Sequence, residues 1–317
     1  MTTADPLVSV IVPVFNLQDL FQRGLKSVQE QTYSKLQIIC IDDGSTDQSL
    51  AQLQQIQAQD ERIEVYSQTN GGLAAARNTG LQYVRGSYIY FFDPDDYLDL
   101  NLLDHCVRQA QKQKADIVVF NSYDVQSSTD QIIREVHQGT TPATAGAVAW
   151  NKLFTRACWQ KGFFPPRSIK FEDSAIIPLK VAQAQKVVLI PECLYYYVRE
   201  RPGSLLTAAQ GNSFAATFTS IIYLLDQAEK QGVTSSQKTA VASYALRKLT
   251  ATVAEYNYRI KTCPQTKQAT YQQFFHQCQA DAQLSWLRQT YARLIYLCWR
   301  SHFFAGLKLL NYLKELI

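Results

Sequence analysis

Asp93-Pro94-Asp95-Asp96 places three carboxylates in four consecutive positions. Carboxylates this close repel, and a cation between them lowers the cost. Their hard oxygens suit Mg2+ or Mn2+, which also bridge phosphates. Read alone, the same residues make an acidic turn ahead of a helix. Asp42-Asp43-Gly44-Ser45 is equally open, since aspartate before Gly-Ser is ordinary turn and N-cap chemistry. Asn70-Gly71-Gly72 signals a turn, and glycine there lets a ligand approach the backbone closely. Arg77, shortly after, reads either as a surface helix residue or as an anion partner. Glu172-Asp173 offers a carboxylate for general-base work, or two acids favoured by the dipole in a helix's first turn.

The elements that must position these residues follow from the apolar pattern. Residues 8–14 form a β-branched run that reads as a buried parallel strand. Leu20, Phe21, Leu25 and Val28 then recur at helical spacing. Further strands are expected at 36–41, 63–66, 88–92 and 117–120, with helices at 47–59, 73–84 and 102–113. Ser45 or Thr46 is expected to cap the helix at 47–59. This alternation implies right-handed βαβ units and a mostly parallel sheet. In such a sheet ligands sit beyond the carboxyl ends of the strands, where Asp42-Asp43, Asn70-Gly71-Gly72 and Asp93 to Asp96 all fall. Residues 122–149 read as a loop or hairpin excursion. Structure resumes at 150–154, a helix opens at Phe171-Glu172-Asp173, 186–190 reads as a strand and 195–198 as an edge strand. Beyond about residue 205 long helical patterns dominate, so residues 1–204 and 205–317 are expected as two domains.

Composition excludes some classes. A net charge of +4 over 317 residues is too weak to signal a nucleic-acid partner. The seven cysteines include no C-x-x-C pair, so neither zinc nor a disulfide framework is indicated; reduced thiols in a cytosolic protein are the expectation. The N-terminus lacks a secretory pattern and no apolar stretch is long enough to cross a bilayer. A cytoplasmic place is expected.

Taken in order, the motifs resemble the family 2 inverting glycosyltransferases of the GT-A fold. The matching segments are Val8 through Asn16, Gln31-Thr32-Tyr33 and Ile41-Asp42-Asp43-Gly44-Ser45-Thr46-Asp47. They continue with Asn70-Gly71-Gly72-Leu73-Ala74-Ala75-Ala76-Arg77-Asn78-Thr79-Gly80, Gly86 through Asp96, Asn151-Lys152-Leu153-Phe154 and Glu172-Asp173. Together they cover residues 7 to about 204. The resemblance implies an α/β GT-A fold, Rossmann-like, with helices flanking a mostly parallel sheet and a mainly helical C-terminal region after it. It implies a UDP-sugar donor, Mn2+ or Mg2+, and a saccharide or lipid-linked acceptor in surface polysaccharide or glycoconjugate biosynthesis. By the same resemblance Pro13, Phe15, Asn16, Asp42 and Asp43 hold the nucleotide. Asn70, Gly71 and Arg77 lie near the base or diphosphate. Asp93 and Asp95 form the metal element, with Asp95 the direct ligand, and Asp93 and Asp96 also face the donor. Asp173 is the catalytic base. Two departures stand out. Pro94 replaces a small polar residue and removes a backbone donor. The phenylalanine common after the base is absent.

Arg199 and Arg201 either close over the diphosphate or lie at a domain junction. The last segment is basic and aromatic, with Trp286, Trp299, Phe303 and Phe304 among its leucines. It suits packing or homodimer formation ahead of peripheral membrane contact at the inner face of the cell membrane. A nucleotidyltransferase would want a glycine-rich loop with a basic residue, which Pro13-Val14-Phe15-Asn16 does not offer. The remaining alternative is a non-catalytic nucleotide-binding scaffold subunit, against which Asp93, Asp95 and Asp173 together argue.

Overall fold

The computed structural model describes residues 5–199 and 213–260. The first half alternates strand and helix as the apolar pattern requires: β1 (Val8–Val14), α1 (Phe21–Gln29), β2 (Leu36–Asp42), α2 (Ser49–Gln57), β3 (Ile63–Ser67), α3 (Leu73–Gln82) and β4 (Tyr88–Phe91). A two-residue strand β5 (Tyr97–Leu98) precedes α4 (Leu102–Gln113), and then come β6 (Ile117–Gln126), β7 (Ile132–Val136) and β8 (Lys152–Thr155). The chain ends its sheet with α5 (Ile177–Gln183) and β9 (Val187–Arg199), followed by α6 (Ser213–Lys230) and α7 (Ser235–Ile260).

One nine-stranded sheet carries all of this in the order β3-β2-β1-β4-β8-β6-β9-β5, with β7 paired to β6. The β3-β2-β1-β4 block is parallel, β8 runs antiparallel to both β4 and β6, and β6 and β9 are parallel. Both faces are covered over its centre, which is why β1, β2 and β4 are mostly apolar. Alternate residues divide between two cores. Ile11, Ile39, Phe91 and Val119 pack toward α3, α5 and the C-terminal helices. Val10, Val12, Ile38, Phe92 and Phe120 pack toward α1, α2 and α4.

Several expectations change. The strand at 117 runs on to Gln126, beyond the expected end at 120, and then forms with β7 a hairpin, one of the two expectations for residues 122–149. Its buried polar residues Asn121, Ser122 and Asp124 had resembled a loop. Two of them are tied in: Asn121 donates to the Pro191 carbonyl at 2.6 Å and accepts from the Gln138 N–H at 2.8 Å, and Asp124 accepts from Arg134 at 2.7 Å. Residues 186–190 and 195–198 belong to one strand, β9, which is internal, lying between β6 and the edge strand β5. Ser45 does not cap α2. Its hydroxyl accepts from the Asn16 N–H at 3.0 Å, while Asp47 accepts from the Ser49 N–H at 2.9 Å. Glu172 and Asp173 sit in hydrogen-bonded turns ahead of α5, outside its first turn.

The texture change near residue 205 is not matched by a break in packing. Ile221 and Leu224 of α6 and Val241 and Tyr244 of α7 share a core with Ile177 and Leu179 of α5. Among the described residues no helix is long and apolar enough to cross a membrane. Arg201 and the basic, aromatic segment beyond residue 260 lie outside the described residues.

Candidate active site

The carboxyl ends of β1, β2, β3 and β4 line one edge of the sheet, and the sequence clusters converge there. The Pro13 to Asn16 loop leaves β1 beside the turn that follows β2. Asn16 takes a left-handed conformation (φ 51°), a position asparagine tolerates. Its Oδ1 accepts from the Thr46 N–H at 2.8 Å. With the Ser45 bond to Asn16 this laces the two loops together, leaving Phe15 exposed at 45%.

Asp42 and Asp43 end β2 with different duties. Asp42 is buried; it accepts from the Ser67 hydroxyl at 2.9 Å and from the Ser45 N–H at 3.2 Å, tying β2 to β3. Asp43 accepts from Gly71 N–H at 2.8 Å, Gly72 N–H at 2.7 Å and Gln68 Nε2 at 2.7 Å, and Asn70 donates to its carbonyl at 2.9 Å. The Asn70-Gly71-Gly72 turn is thus wrapped on one carboxylate, with Gly72 at φ 87°, where a side chain would be strained. Arg167 lies alongside Gly72 and donates to the Asn70 carbonyl at 2.9 Å.

Arg77 is no surface residue: its side chain is 1% exposed, under the floor of the cleft. One terminal nitrogen donates to Asp93 at 2.8 Å. The other donates to Asp173 at 2.8 Å and Glu172 at 3.3 Å. Residues 16 and 96 positions away in sequence therefore meet on one guanidinium. Phe164 lies beneath it, 5.2 Å from ring centroid to guanidinium carbon. Asn78 pins Phe164 in place by donating to its carbonyl at 3.0 Å and accepting from its N–H at 2.9 Å. Asp173, Asp93 and Glu172 hold the Arg77 guanidinium firmly protonated against the cost of its burial.

Asp173 is partly buried, its side chain 16% exposed. Its Oδ2 accepts from the Ala149 N–H at 3.1 Å. Burial pushes its carboxyl up to about 7; Arg77 pulls it down, and Glu172 and Asp93 push it up. A carboxyl in that range can take a proton near neutral pH, as a general base must.

The Asp93 to Asp96 loop closes the other side. Asp93 and Asp95 are partly exposed. Asp96 is buried and faces the sheet: it accepts from the Tyr195 hydroxyl at 2.6 Å and the Val198 N–H at 2.8 Å. Burial, then the nearby Asp95 charge, pushes its carboxyl well above the usual range. Asp96 so anchors the loop to β9. The loop also rests on α1 at Gly24, where a Cβ would stand 2.1 Å from the Pro94 carbonyl oxygen and 2.5 Å from that of Asp96.

One arginine against three carboxylates, with Asp95 beside them, leaves this edge short of positive charge. Hard oxygen donors with excess negative charge fit a divalent cation that completes its shell with water and phosphate. Among the described residues no three His, Cys, Asp or Glu side chains form a metal cage; the partly exposed carboxylates of this loop are Asp93 and Asp95. Arg199 points elsewhere. It pairs with Asp124 at 3.6 Å, and Arg134 meets the same carboxylate at 2.7 Å.

Gly24, Asn78, Ala149 and Arg167 had no assigned part in the sequence reading. A signal existed for Asn78, because asparagine inside a helix competes with the backbone unless its side chain is engaged elsewhere. Ala149 acts through its backbone, which no residue type reveals.

Residues 9–167 match the family model described as glycosyl transferase family 2. An uncharacterized glycosyltransferase, EpsJ of Bacillus subtilis, is 31% identical over 217 residues, which are 63% of this chain and 63% of that protein. The chain thus spans less than two thirds of that relative. Among solved structures, S. aureus TarS (residues 1–349) in complex with UDP-GlcNAc matches with a TM-score of 0.63 at 19% identity, over 76% of this chain and 72% of that one. The mannosyltransferase PcManGT of Pyrobaculum calidifontis, in complex with GDP-Man and Mn2+, matches with a TM-score of 0.54 at 18% identity, over 92% and 84%. These likenesses show the GT-A fold.

Proposed function

This chain belongs to glycosyl transferase family 2, and we propose that it is an inverting, metal-dependent glycosyltransferase. It moves a hexosyl or N-acetylhexosaminyl group from a UDP-sugar to a saccharide or lipid-linked saccharide, working in the cytoplasm on surface polysaccharide or glycoconjugate. The observation that carries the reading is the pair of carboxylates on Arg77: Asp93 on the donor side and Asp173 on the acceptor side, each 2.8 Å from the guanidinium. That spacing suits a transfer in which the acceptor hydroxyl attacks the anomeric carbon opposite the leaving diphosphate.

In this reading Pro13, Phe15, Asn16, Asp43, Asn70 and Gly71 form the nucleotide cleft, with Asp42 and Asp96 building its frame from beneath. The uracil N–H is a donor that an aspartate at the cleft accepts. Arg167, exposed at the Gly72 turn, supplies a cation within reach of the diphosphate. Asp173 takes the proton of the acceptor hydroxyl as the new bond forms. Arg77 and the Ala149 N–H hold that carboxylate still. Asp93 and Asp95 would hold Mn2+ or Mg2+, which offsets charge on the departing diphosphate.

A panel of nucleotide-sugars, read by thermal shift with and without Mn2+, tests the proposal. A Mn2+-dependent rise for one UDP-sugar supports it and names the donor, and turnover is then followed by UDP release. A flat response to all UDP-sugars, with Mn2+ and acceptor saccharides present, overturns it, and a UDP-sugar response without UDP release in the presence of acceptor favours the nucleotide-binding scaffold subunit.

A further inference from the structure

The Asn151-Lys152-Leu153-Phe154 segment takes no part in the chemistry above, yet it contains a lysine with 0% of its surface exposed. Lys152 opens β8. Its ammonium lies 2.8 Å from the Ala145 carbonyl oxygen, 3.0 Å from that of Gly146, 2.9 Å from that of Val148 and 2.6 Å from Asn151 Oδ1. An ammonium offers three N–H donors and no acceptor, so four oxygens around one nitrogen suit the charged form. These partners are all neutral. Burial drives the ammonium down to about 7, and the negative charge of Asp173 works against that.

A cation buried among neutral groups is costly, and an apolar side chain would fill the start of β8 without that cost. Its use lies in what its partners hold. The three carbonyls belong to residues 137–151, the irregular connection between β7 and β8, which has no sheet ladder to shape it. Within that connection Ala149 turns its N–H onto Asp173 Oδ2 at 3.1 Å, while Arg77 holds Oδ1 at 2.8 Å. The carboxylate is fixed from both sides, once by a side chain and once by a loop that the ammonium gathers.

We propose that Lys152 is a positioning residue for Asp173: its ammonium draws in the Ala145, Gly146 and Val148 carbonyls and so sets the loop that presents the Ala149 N–H to the carboxylate. This rests on Asp173 being the general base. Lys152 is sealed from the cleft, so its effect reaches the reaction through the base alone. It belongs in kcat and in the pH profile, and leaves donor affinity untouched.

The test uses the full-length protein and the UDP-sugar identified by the thermal-shift panel, with UDP as the binding probe. Lys152→Met is compared with wild type, with Asp173→Asn and with the double variant. We expect kcat to fall on the order of 100-fold, the acidic limb of the pH profile to move, and UDP binding and donor KM to hold. The double variant should be no slower than Asp173→Asn. Wild-type kcat and pH profile in Lys152→Met, or losses that multiply in the double variant, overturn the proposal. Wild-type turnover by Asp173→Asn overturns the base reading, and the proposal with it. Should Lys152→Met not fold, Ala149→Pro, which deletes the N–H given to Asp173, carries the same comparison.

Discussion

The two terminal nitrogens of Arg77 divide Asp93 from Asp173, 2.8 Å on either side. Asp93 belongs to the loop after β4 and Asp173 to the turns before α5, so the guanidinium is the part that sets their separation. An arginine fork can hold two carboxylates at fixed geometry, and a lysine cannot.

Arg77→Ala is therefore expected to destabilise the fold by about 3–5 kcal/mol, the cost of leaving buried carboxylates without their cation. Urea denaturation measures this. Arg77→Lys keeps the charge and should restore much of the stability. It should still lose on the order of 100-fold in kcat through misplacement of the base. Wild-type turnover by Arg77→Lys would show that a charge, and not the fork, is what the site needs.

The position of Asp173 predicts a pH dependence. Its carboxyl is pushed up to about 7 by burial, so the basic form is lost as pH falls through that value. Below it kcat should drop about tenfold per pH unit, as one protonation requires. Stability runs the other way. The native pKa lies above the unfolded value near 3.8, so between about 4 and 7 the native state holds the extra proton and stability falls as pH rises. Asp173→Asn should cut transfer to a small residual rate, leave UDP binding intact and flatten the fall in Tm across that window. A Tm slope in Asp173→Asn equal to that of wild type would assign the titration to another group.

Much of this site was legible because β1, β2 and β4 are mostly apolar and buried and the first four strands end in turn residues. Asp43, Asn70 and Gly71 stand where the strand ends put them. The second half was harder for a physical reason. Asn121, Ser122 and Asp124 are polar yet buried in β6, with Asn121 and Asp124 hydrogen-bonded inside the fold, so the polar stretch gave no strand pattern. Arg77 carried a similar ambiguity. Its helical position fits a surface residue, and only the return of the chain at Glu172-Asp173 shows why it is buried. The Ala149 contact has no side-chain signature at all.

Asp43 organises the nucleotide turn through three donors. Asp43→Ala leaves those N–H groups without their carboxylate and should cost about 3 kcal/mol. UDP binding should be lost at every metal concentration, as isothermal titration would show. Asp95→Ala touches no part of that turn. It should weaken UDP binding in Mn2+ while leaving the metal-free affinity as it was. Equal loss with and without Mn2+ would move the cation away from Asp95.

Gly24 tests the Asp93 to Asp96 loop without touching a carboxylate. It faces the loop from α1, and a Cβ there would stand 2.1 Å from the Pro94 carbonyl oxygen and 2.5 Å from that of Asp96. Neither atom can swing aside as a long side chain would, because both are backbone and Asp96 is anchored to Tyr195 and Val198. Either α1 shifts or the loop does. Alanine is the better helix former, so a helix-propensity argument alone predicts a gain in stability for Gly24→Ala. Overpacking predicts a loss of about 1–3 kcal/mol, and the clash should dominate because the propensity gain is only about 1 kcal/mol. If the loop yields, Asp93 and Asp95 move together and the Mn2+-dependent part of UDP binding falls, with the metal-free part unchanged. If α1 yields, stability falls alone. Thermal unfolding with and without UDP and Mn2+ separates the two, and a variant as stable as wild type with full Mn2+ response would show that α1 does not press on this loop.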